Sequence, residues 1–388
     1  TNFTPAQMDR WHVLYDLAPE AAIDATNGFY FSHLTDSVQE GDYIKFAIDV
    51  KNIFTVDMDS LLINYWIEDQ NNVKHTIAYP RQDSLRVGQV IRDTISVPSL
   101  GMSGFNTLWM EVNPYINGSL YLKDQPEQYH FNNIMQIPFN VKSDKINPLL
   151  DVTFDGRHIL NGDIVNPNAE IVITLKDENP FLLMNEDADT TKFGIYLTDP
   201  LGNMKRIPFV DGQGNTVMQW IPAESTHKKF KILYPAAFQL DGKYRLMVQG
   251  TDKSGNLSGD NQYKVDFEVI NRSSITNMMN YPNPFSTSTR FVFTLTGSEV
   301  PDDIIIQIMT VSGRVVREMT EDQLGKIYIG RNITEYAWDG RDEFGDQLAN
   351  GVYLYTVKAK INGEDIEHRE SGADKYFKKS FGKMYLMR

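Results

Sequence analysis

No cysteine occurs among the 388 residues. Disulfide stapling, thiolate nucleophiles and cysteine-ligated zinc are excluded at once. The absence suits a reducing compartment and equally an exported bacterial protein, so it does not fix location. Missing too is any apolar run near the ~20 residues of a helical membrane span. Positive charge is scarce: 37 Lys and Arg face 51 Asp and Glu, a formal net charge of −14. That balance argues against nucleic acid, whose affinity comes mainly from Lys and Arg on phosphates. The acidic residues are dispersed rather than blocked, which reads as a solvated surface. The chain opens Thr1-Asn2-Phe3 without an initiator Met or an apolar leader. The expectation is a start in mid-protein, with Trp11-His12-Val13-Leu14-Tyr15 in a linker that feeds the first strand.

Catalytic signatures are equally absent. There is no Gly-x-Ser-x-Gly elbow, no His-Glu-x-x-His and no phosphate-cradling glycine loop. His12, His33, His75, His130, His158, His227 and His368 are scattered, with no pair four residues apart. Triads are defined by geometry, not spacing, but the expectation is a non-catalytic chain with no cofactor. Asp177-Glu178-Asn179 with Asp187 and Asp189, or Asp252 with Asp260 and Asn261, offer calcium-type oxygen ligands. Their spacing matches no EF-hand loop, and such residues between strands ordinarily make turns, so no metal site is assigned. Tyr115, Tyr121 and Tyr129 are candidates for stacking on sugar, against the plainer reading of core or rim packing. Sequons at Asn2, Asn117, Asn256, Asn271 and Asn332 carry little weight in a bacterial protein.

What is present is β-structure. At 41% apolar and 12% aromatic, with mean hydropathy −0.37, the chain is neither disordered nor membrane-embedded. Its length exceeds one hydrophobic core and calls for several domains. Period-two alternation marks strands at residues 43–50, 61–67, 86–97, 107–112 and 134–141, and Asn113-Pro114 forces a turn. A second set covers 152–156, 169–176, 193–197, 229–233, 244–249 and 263–270, with Asp252-Lys253-Ser254-Gly255-Asn256 as a dense turn signal. Asn271-Arg272-Ser273-Ser274 reads as a polar hinge. The third set covers 291–295, 304–311, 335–338, 352–360 and 378–387, with Val311-Ser312-Gly313-Arg314 as a hairpin turn. Short strands between turns, without amphipathic helices, give an all-β chain of three tandem immunoglobulin-like β-sandwiches.

Four motifs follow one another in the last third: Asn280-Tyr281-Pro282-Asn283-Pro284-Phe285, Val311-Ser312-Gly313-Arg314-Val315-Val316, Trp338-Asp339-Gly340-Arg341-Asp342-Glu343-Phe344-Gly345 and Leu348-Ala349-Asn350-Gly351-Val352-Tyr353. Together they resemble the immunoglobulin-like domain of flagellar hook-capping proteins and, more closely, the type A C-terminal sorting domain of Bacteroidetes type IX secretion cargo. The ending Tyr376–Arg388, with Glu367-His368-Arg369 and Ala373–Phe377, is similar to that of the sortase-like, gingipain-type peptidase relatives of that system. Residues 19–133, above all Glu127-Gln128-Tyr129-His130-Phe131-Asn132-Asn133, resemble a CARDB-type adhesion module. The middle domain resembles a bacterial Ig-like module through Phe154-Asp155-Gly156 and 252–256.

The resemblance implies a linker at 1–18, a CARDB-like sandwich at 19–145, a bacterial Ig-like sandwich at 146–272 and a sorting domain at 273–388. A peptidase-like domain lies upstream in the family. It also implies a secreted or cell-surface location and an outer-membrane β-barrel shuttle or translocon as partner. The sorting and docking role carries over to Gly351, Val352, Tyr353, Lys383, Met384, Tyr385, Leu386, Met387 and Arg388. An alternative reading is an adhesin or carbohydrate-binding array whose first two sandwiches hold a surface glycan or protein.

Overall fold

The computed structural model describes residues 8–23, 30–31, 37–119, 121–369, 377–378 and 381–388. The chain is all-β, three tandem β-sandwiches with one apolar core each. By compactness it divides into two units, residues 1–145 and 146–388.

In the first unit the strands are β1 (Ala21–Ile23), β2 (Tyr30–Phe31), β3 (Ser37–Gln39), β4 (Tyr43–Asn52), β5 (Ile63–Glu68), β6 (Lys74–Ile77), β7 (Val90–Pro98), β8 (Gly104–Val112) and β9 (Ile134–Lys142). One sheet runs β1-β4-β2 with β7 also on β4; the other runs β3-β9-β8-β5-β6. Alternation sorts the faces: Ile44, Phe46 and Val50 of β4 point inward against Ile63, Tyr65 and Ile67 of β5. Full burial of each such side chain stabilises by roughly 1.5–3 kcal/mol. The Glu127–Asn133 segment anchors the chain entering β1. Glu127 accepts from the Ala21 N–H (2.8 Å) and from the Asn113 and Asn133 amides (2.8 and 2.7 Å). Glu20 accepts from the Gln128 and Tyr129 N–H groups. Buried carboxylates are tolerable because donors surround them.

In the second unit, the first sandwich holds β10 (Leu149–Phe154), β11 (Asp163–Val165), β12 (Glu170–Lys176), β13 (Phe193–Thr198), β14 (Met204–Arg206), β15 (Gln219–Ile221), β16 (Lys229–Pro235), β17 (Gly242–Gly250) and β18 (Tyr263–Val269). Its sheets run β10-β12-β16-β15 and β11-β18-β17-β13-β14. The next holds β19 (Ser274–Tyr281), β20 (Arg290–Thr296), β21 (Asp303–Thr310), β22 (Val315–Met319), β23 (Gly330–Ile333), β24 (Gly351–Ile361), β25 (Glu364–Asp365), β26 (Glu367–His368), β27 (Phe377–Lys378) and β28 (Phe381–Leu386). Its sheets run β23-β20-β19-β26 and β22-β21-β24-β28-β27, with β25 on β24.

Two expectations are corrected here. Residues 335–338 form no strand beyond one bridge, Thr289 to Trp338; the strand lies earlier, at β23. Tyr336 and Trp338 have strand-like composition, but Trp338 is used as a core plug and its flanking chain turns away. The segment 271–274 is held, not a loose hinge. Asn271 donates through its N–H and its amide to Asp241 Oδ1 (both 2.8 Å), and Arg272 pairs with Glu367 (2.5 Å). The chain then passes directly into β19.

Candidate functional site

Strand β28 and the two residues after it carry six of the nine proposed docking residues, and the alternation divides them. Gly382, Met384 and Leu386 face the core; Phe381, Lys383, Tyr385 and Met387 face out. On one edge β28 pairs antiparallel with β24: Gly351 with Leu386, Val352 with Tyr385, Tyr353 with Met384, Leu354 with Lys383 and Tyr355 with Gly382. All nine sequence-derived residues therefore lie on two adjacent strands or in the two residues that follow β28.

The opposite edge is covered by the Pro-Asn-Pro segment, whose Tyr281-Pro282 and Asn283-Pro284 peptide bonds are both cis. The Asn283 amide donates to the Lys383 carbonyl (3.0 Å), and the Tyr385 N–H donates to Asn283 Oδ1 (3.0 Å). The Phe285 N–H donates to the Tyr385 carbonyl (3.0 Å), and the Met387 N–H donates to the Phe285 carbonyl (2.9 Å). From Lys383 to Met387 the main chain is thus engaged on both sides. A simple edge strand open to strand addition is not what the fold presents.

The last residue sits in a cage of carbonyls. The Arg388 guanidinium donates to the Asp339 (2.5 Å), Gly340 (3.3 Å) and Leu348 (3.3 Å) carbonyls. Asn350 brackets its main chain, accepting from the Arg388 N–H (2.9 Å) and donating to its carbonyl oxygen (3.1 Å). Gly340, at φ +76°, has no room for a side chain, since a Cβ there would meet Arg388 at 2.9 Å and Leu386 at 3.1 Å. Beneath the cage, Trp338 is fully buried, tilted against Phe285 (5.5 Å) and edge-on to Tyr353 (6.2 Å). Its indole N–H donates to the Arg341 carbonyl (2.8 Å), and the Tyr353 hydroxyl to the Ala349 carbonyl (2.8 Å). Burial raises the Tyr353 hydroxyl above its ordinary value.

Sequence reasoning assigns the role to 351–353 and 383–388, and misses the residues that hold them: Asn283, Phe285, Asp339, Gly340, Leu348 and Asn350. The signal is present, because every one lies within the four motifs of the last third. What spacing does not reveal is that these motifs, 38 to 102 residues from the groups they hold, converge on Lys383–Arg388. The tracts 370–376 and 379–380 of the same resemblance lie outside the described residues, as do Thr1–Phe3 and His33.

Among the acidic candidates, Asp189 and Asp252 make local hydrogen bonds. Asp189 accepts from the Asn185 and Glu186 N–H groups and caps a short 3-10 helix. Asp252 accepts from the Asn256 N–H and side-chain amide, closing its turn. His75, His130, His158 and His227 each lie beside a carboxylate, of Asp69, Glu111, Asp151 and Glu224. His227 also contacts the hydroxyl of its neighbour Thr226 (2.7 Å), on an exposed turn. Tyr115 packs against His130, and Tyr129 against Phe131, while Tyr121 stands in solvent.

No family model matches the chain, and no curated protein matches it. Among solved structures, that of dimeric latent PorU from Porphyromonas gingivalis aligns with 95% of this chain at 13% identity and a TM-score of 0.24. This chain spans 34% of that chain's length. The CARDB domain of the PF1109 protein from Pyrococcus furiosus aligns with 35% of this chain, over 99% of its own, at 15% identity and a TM-score of 0.25. The FN1-FN3 domains of chicken CNTN1 align with 96% of this chain and 99% of their own, at 10% identity and a TM-score of 0.21. Likeness at such identities concerns the fold.

Proposed function

We propose that this chain is the non-catalytic C-terminal part of an exported protein, with its third sandwich as a sorting and docking domain for the type IX secretion machinery. The first two sandwiches act as spacers. The partner is an outer-membrane β-barrel shuttle or translocon, and the location is the cell surface or exterior. The single supporting observation is the convergence of key residues from three of the four motifs on Lys383–Arg388. A fold that spends Asn283, Phe285, Asp339, Gly340 and Asn350 on its last residues holds that end in one conformation. Because both edges of β28 are engaged, recognition runs through the outward side chains Lys383, Tyr385 and Met387 and the exposed lip around Gly351.

Deleting residues 383–388 would not test this, since Met384 and Leu386 belong to the core. The discriminating variant is Lys383→Ser/Tyr385→Ser/Met387→Ser, which changes the outer face alone. A reporter fused ahead of residues 146–388 is expected to reach the surface of a type IX-competent bacterium. The triple variant should fold but accumulate in the periplasm. Equal export of both, or periplasmic retention of the parent fusion, would sink the sorting assignment. Surface retention without cleavage would further favour the sortase-like relatives over cleaved cargo.

A further inference from the structure

Within residues 146–388 the two sandwiches enclose a cleft of about 670 Å³. Its depth follows from a close approach of β23 to β11. Gly330, at φ +99°, sits where a Cβ would fall 2.6 Å from the Ile164 carbonyl oxygen, so only glycine lets the strands lie so near. One rim is the turn Phe154-Asp155-Gly156-Arg157. Asp155 and Gly156 both have positive φ (49° and 75°), and Phe154 and Arg157 exchange main-chain hydrogen bonds (2.8 and 2.9 Å). That is a two-residue turn of the primed kind. Asp155 is fixed in turn to Glu170, donating its N–H to the Glu170 carbonyl (2.9 Å) and accepting the Glu170 N–H (2.8 Å).

This rigid turn holds the Arg157 guanidinium 4.4 Å from the centroid of the Tyr328 ring. Lys326 stands 5.1 Å from the same ring. Two cations share one ring, and neither makes an ion pair among the described residues. Arg331 lines the same cleft, and Arg290 there is hydrogen-bonded to the Thr334 carbonyl (3.2 Å). Three acids line it as well: Asp155, which accepts the Glu170 N–H, Asp163, which accepts the Leu160 N–H (2.8 Å), and Glu335. Four cations (Arg157, Arg290, Lys326, Arg331) against three carboxylates leave the walled recess with one positive charge in excess, in a chain of net charge −14. Such walls strengthen the field that an anion feels. The recess falls within the roughly 300–1,000 Å³ typical of small-ligand sites.

The cleft lip is closed to an added peptide strand. Asn332 accepts the Tyr328 N–H (2.9 Å) and donates to the Tyr328 (2.7 Å) and Gly330 (2.9 Å) carbonyls. The Tyr328 N–H and the Tyr328 and Gly330 carbonyls are therefore not available to an added strand. We propose that this cleft binds a sugar-sized polyanion through its carboxylate or phosphate groups, with Arg157 and Lys326 over Tyr328, Arg331 on β23 and Arg290 on β20 as the anion-holding side chains. The site goes beyond the sorting role and does not depend on it.

The test is calorimetric titration of the full chain at about 50 mM salt, where exposed charges are weakly screened. Trigalacturonate supplies carboxylates, inositol hexakisphosphate supplies phosphates, and maltotriose is the neutral control. At least one polyanion should bind and maltotriose should not; which anion binds identifies the source of charge. Arg157→Ser/Lys326→Ser should weaken binding about tenfold or more, since charge-assisted hydrogen bonds are being removed. Lys205→Ser, the control for net charge on exposed β14, should leave it unchanged. If the double variant melts early, Arg331→Ser replaces it and carries the same expectation. The proposal is overturned if neither polyanion binds, if maltotriose or an oligoglutamate peptide binds better, or if Lys205→Ser weakens binding as much as the cleft variants.

Discussion

Gly382→Ala is the sharpest test of how the terminal strand is seated. Gly382 lies opposite Tyr355 in the β24–β28 register. A Cβ there would fall 2.0 Å from Tyr355 Cζ and 2.3 Å from Cε2, with the ring at 1% exposure and edge-on to Phe291 at 5.1 Å. Gly382 has no left-handed φ, so the penalty comes from packing alone. Overpacking of a filled core costs about 1–3 kcal/mol. The lost flexibility of the unfolded chain returns about 0.4–1 kcal/mol, leaving a net loss of about 1.3 kcal/mol. Native-state hydrogen exchange on the full chain, followed in peptides over β24 and β28, should then run about tenfold faster. The decisive arm is the double-mutant cycle with Tyr355→Leu, which removes the atoms in the way. In that background Gly382→Ala should be neutral to slightly stabilising, a coupling of up to about 2 kcal/mol between the two sites. If Gly382→Ala costs the same in both backgrounds, or nothing in the parent, the seating argument is wrong.

Two further outcomes are expected. Asn350→Ala removes both brackets on the Arg388 main chain, a loss of about 1 kcal/mol given their exposure to water. Carboxypeptidase should release Arg388 faster than from the parent, and unchanged release would refute the cage. For Glu127, burial is the larger influence and raises its carboxyl above the ordinary 4.5, while the Asn113 amide pulls it down. The folded chain therefore keeps a proton that the unfolded chain has released. Its contribution to stability is full below pH 4.5 and is lost as pH rises through the raised folded value. Glu127→Gln, titrated beside the parent in urea from pH 4 to 7, should gain relative stability as pH rises; a constant or narrowing advantage contradicts the assignment.

The long strands are legible because their alternation is strong: residues 43–50, 134–141, 244–249 and 352–360 all lie within observed strands. Strand β19 is not legible, and the reason is local. A register shift between Thr276 and Met279, with Asn277 at φ 55°, breaks the period-two pattern that would mark it. Strands β11, β14 and β15, of three residues each, are too short to carry a period. A recurrent turn also escapes, with only one of its copies read as a turn signal in its own right. Asp199, Asp211, Asp252 and Asp342 each accept from the N–H four residues on, with glycine at the fourth position, in the pattern Asp-x-x-Gly-Asn or Asp-x-x-Gly-Asp. Those donors hold the Asp199 and Asp211 carboxyls below their ordinary value, the Asn203 and Asn215 side chains first. Read as one repeated device, the pattern marks four turns from sequence alone.

The site is half legible for a deeper reason. Period two fixes which face of β28 a side chain takes, so the alternation of Lys383, Tyr385 and Met387 with Met384 and Leu386 is enough to place the first three outward. It cannot predict what lies along the strand's edges, because edge partners come from distant sequence. Here the partner is Asn283–Phe285, which joins the strand with main-chain and side-chain bonds in place of a regular ladder. A final strand locked on both edges and at its end trades the reach of a free tail for a fixed pattern of side chains. Under the proposed docking role, recognition rests on a few outward groups, whereas a flexible tail would be recognised by sequence along its length. The two modes respond oppositely to loosening. Asn283→Ala, which removes two of the four bonds on one edge and leaves the outward face intact, should impair docking to a rigid-pattern reader. A reader that binds an extended tail should instead take the loosened end more readily. Export of the Asn283→Ala fusion, compared with the outer-face triple variant, decides between them: joint loss supports the rigid pattern, and improved export of Asn283→Ala overturns it.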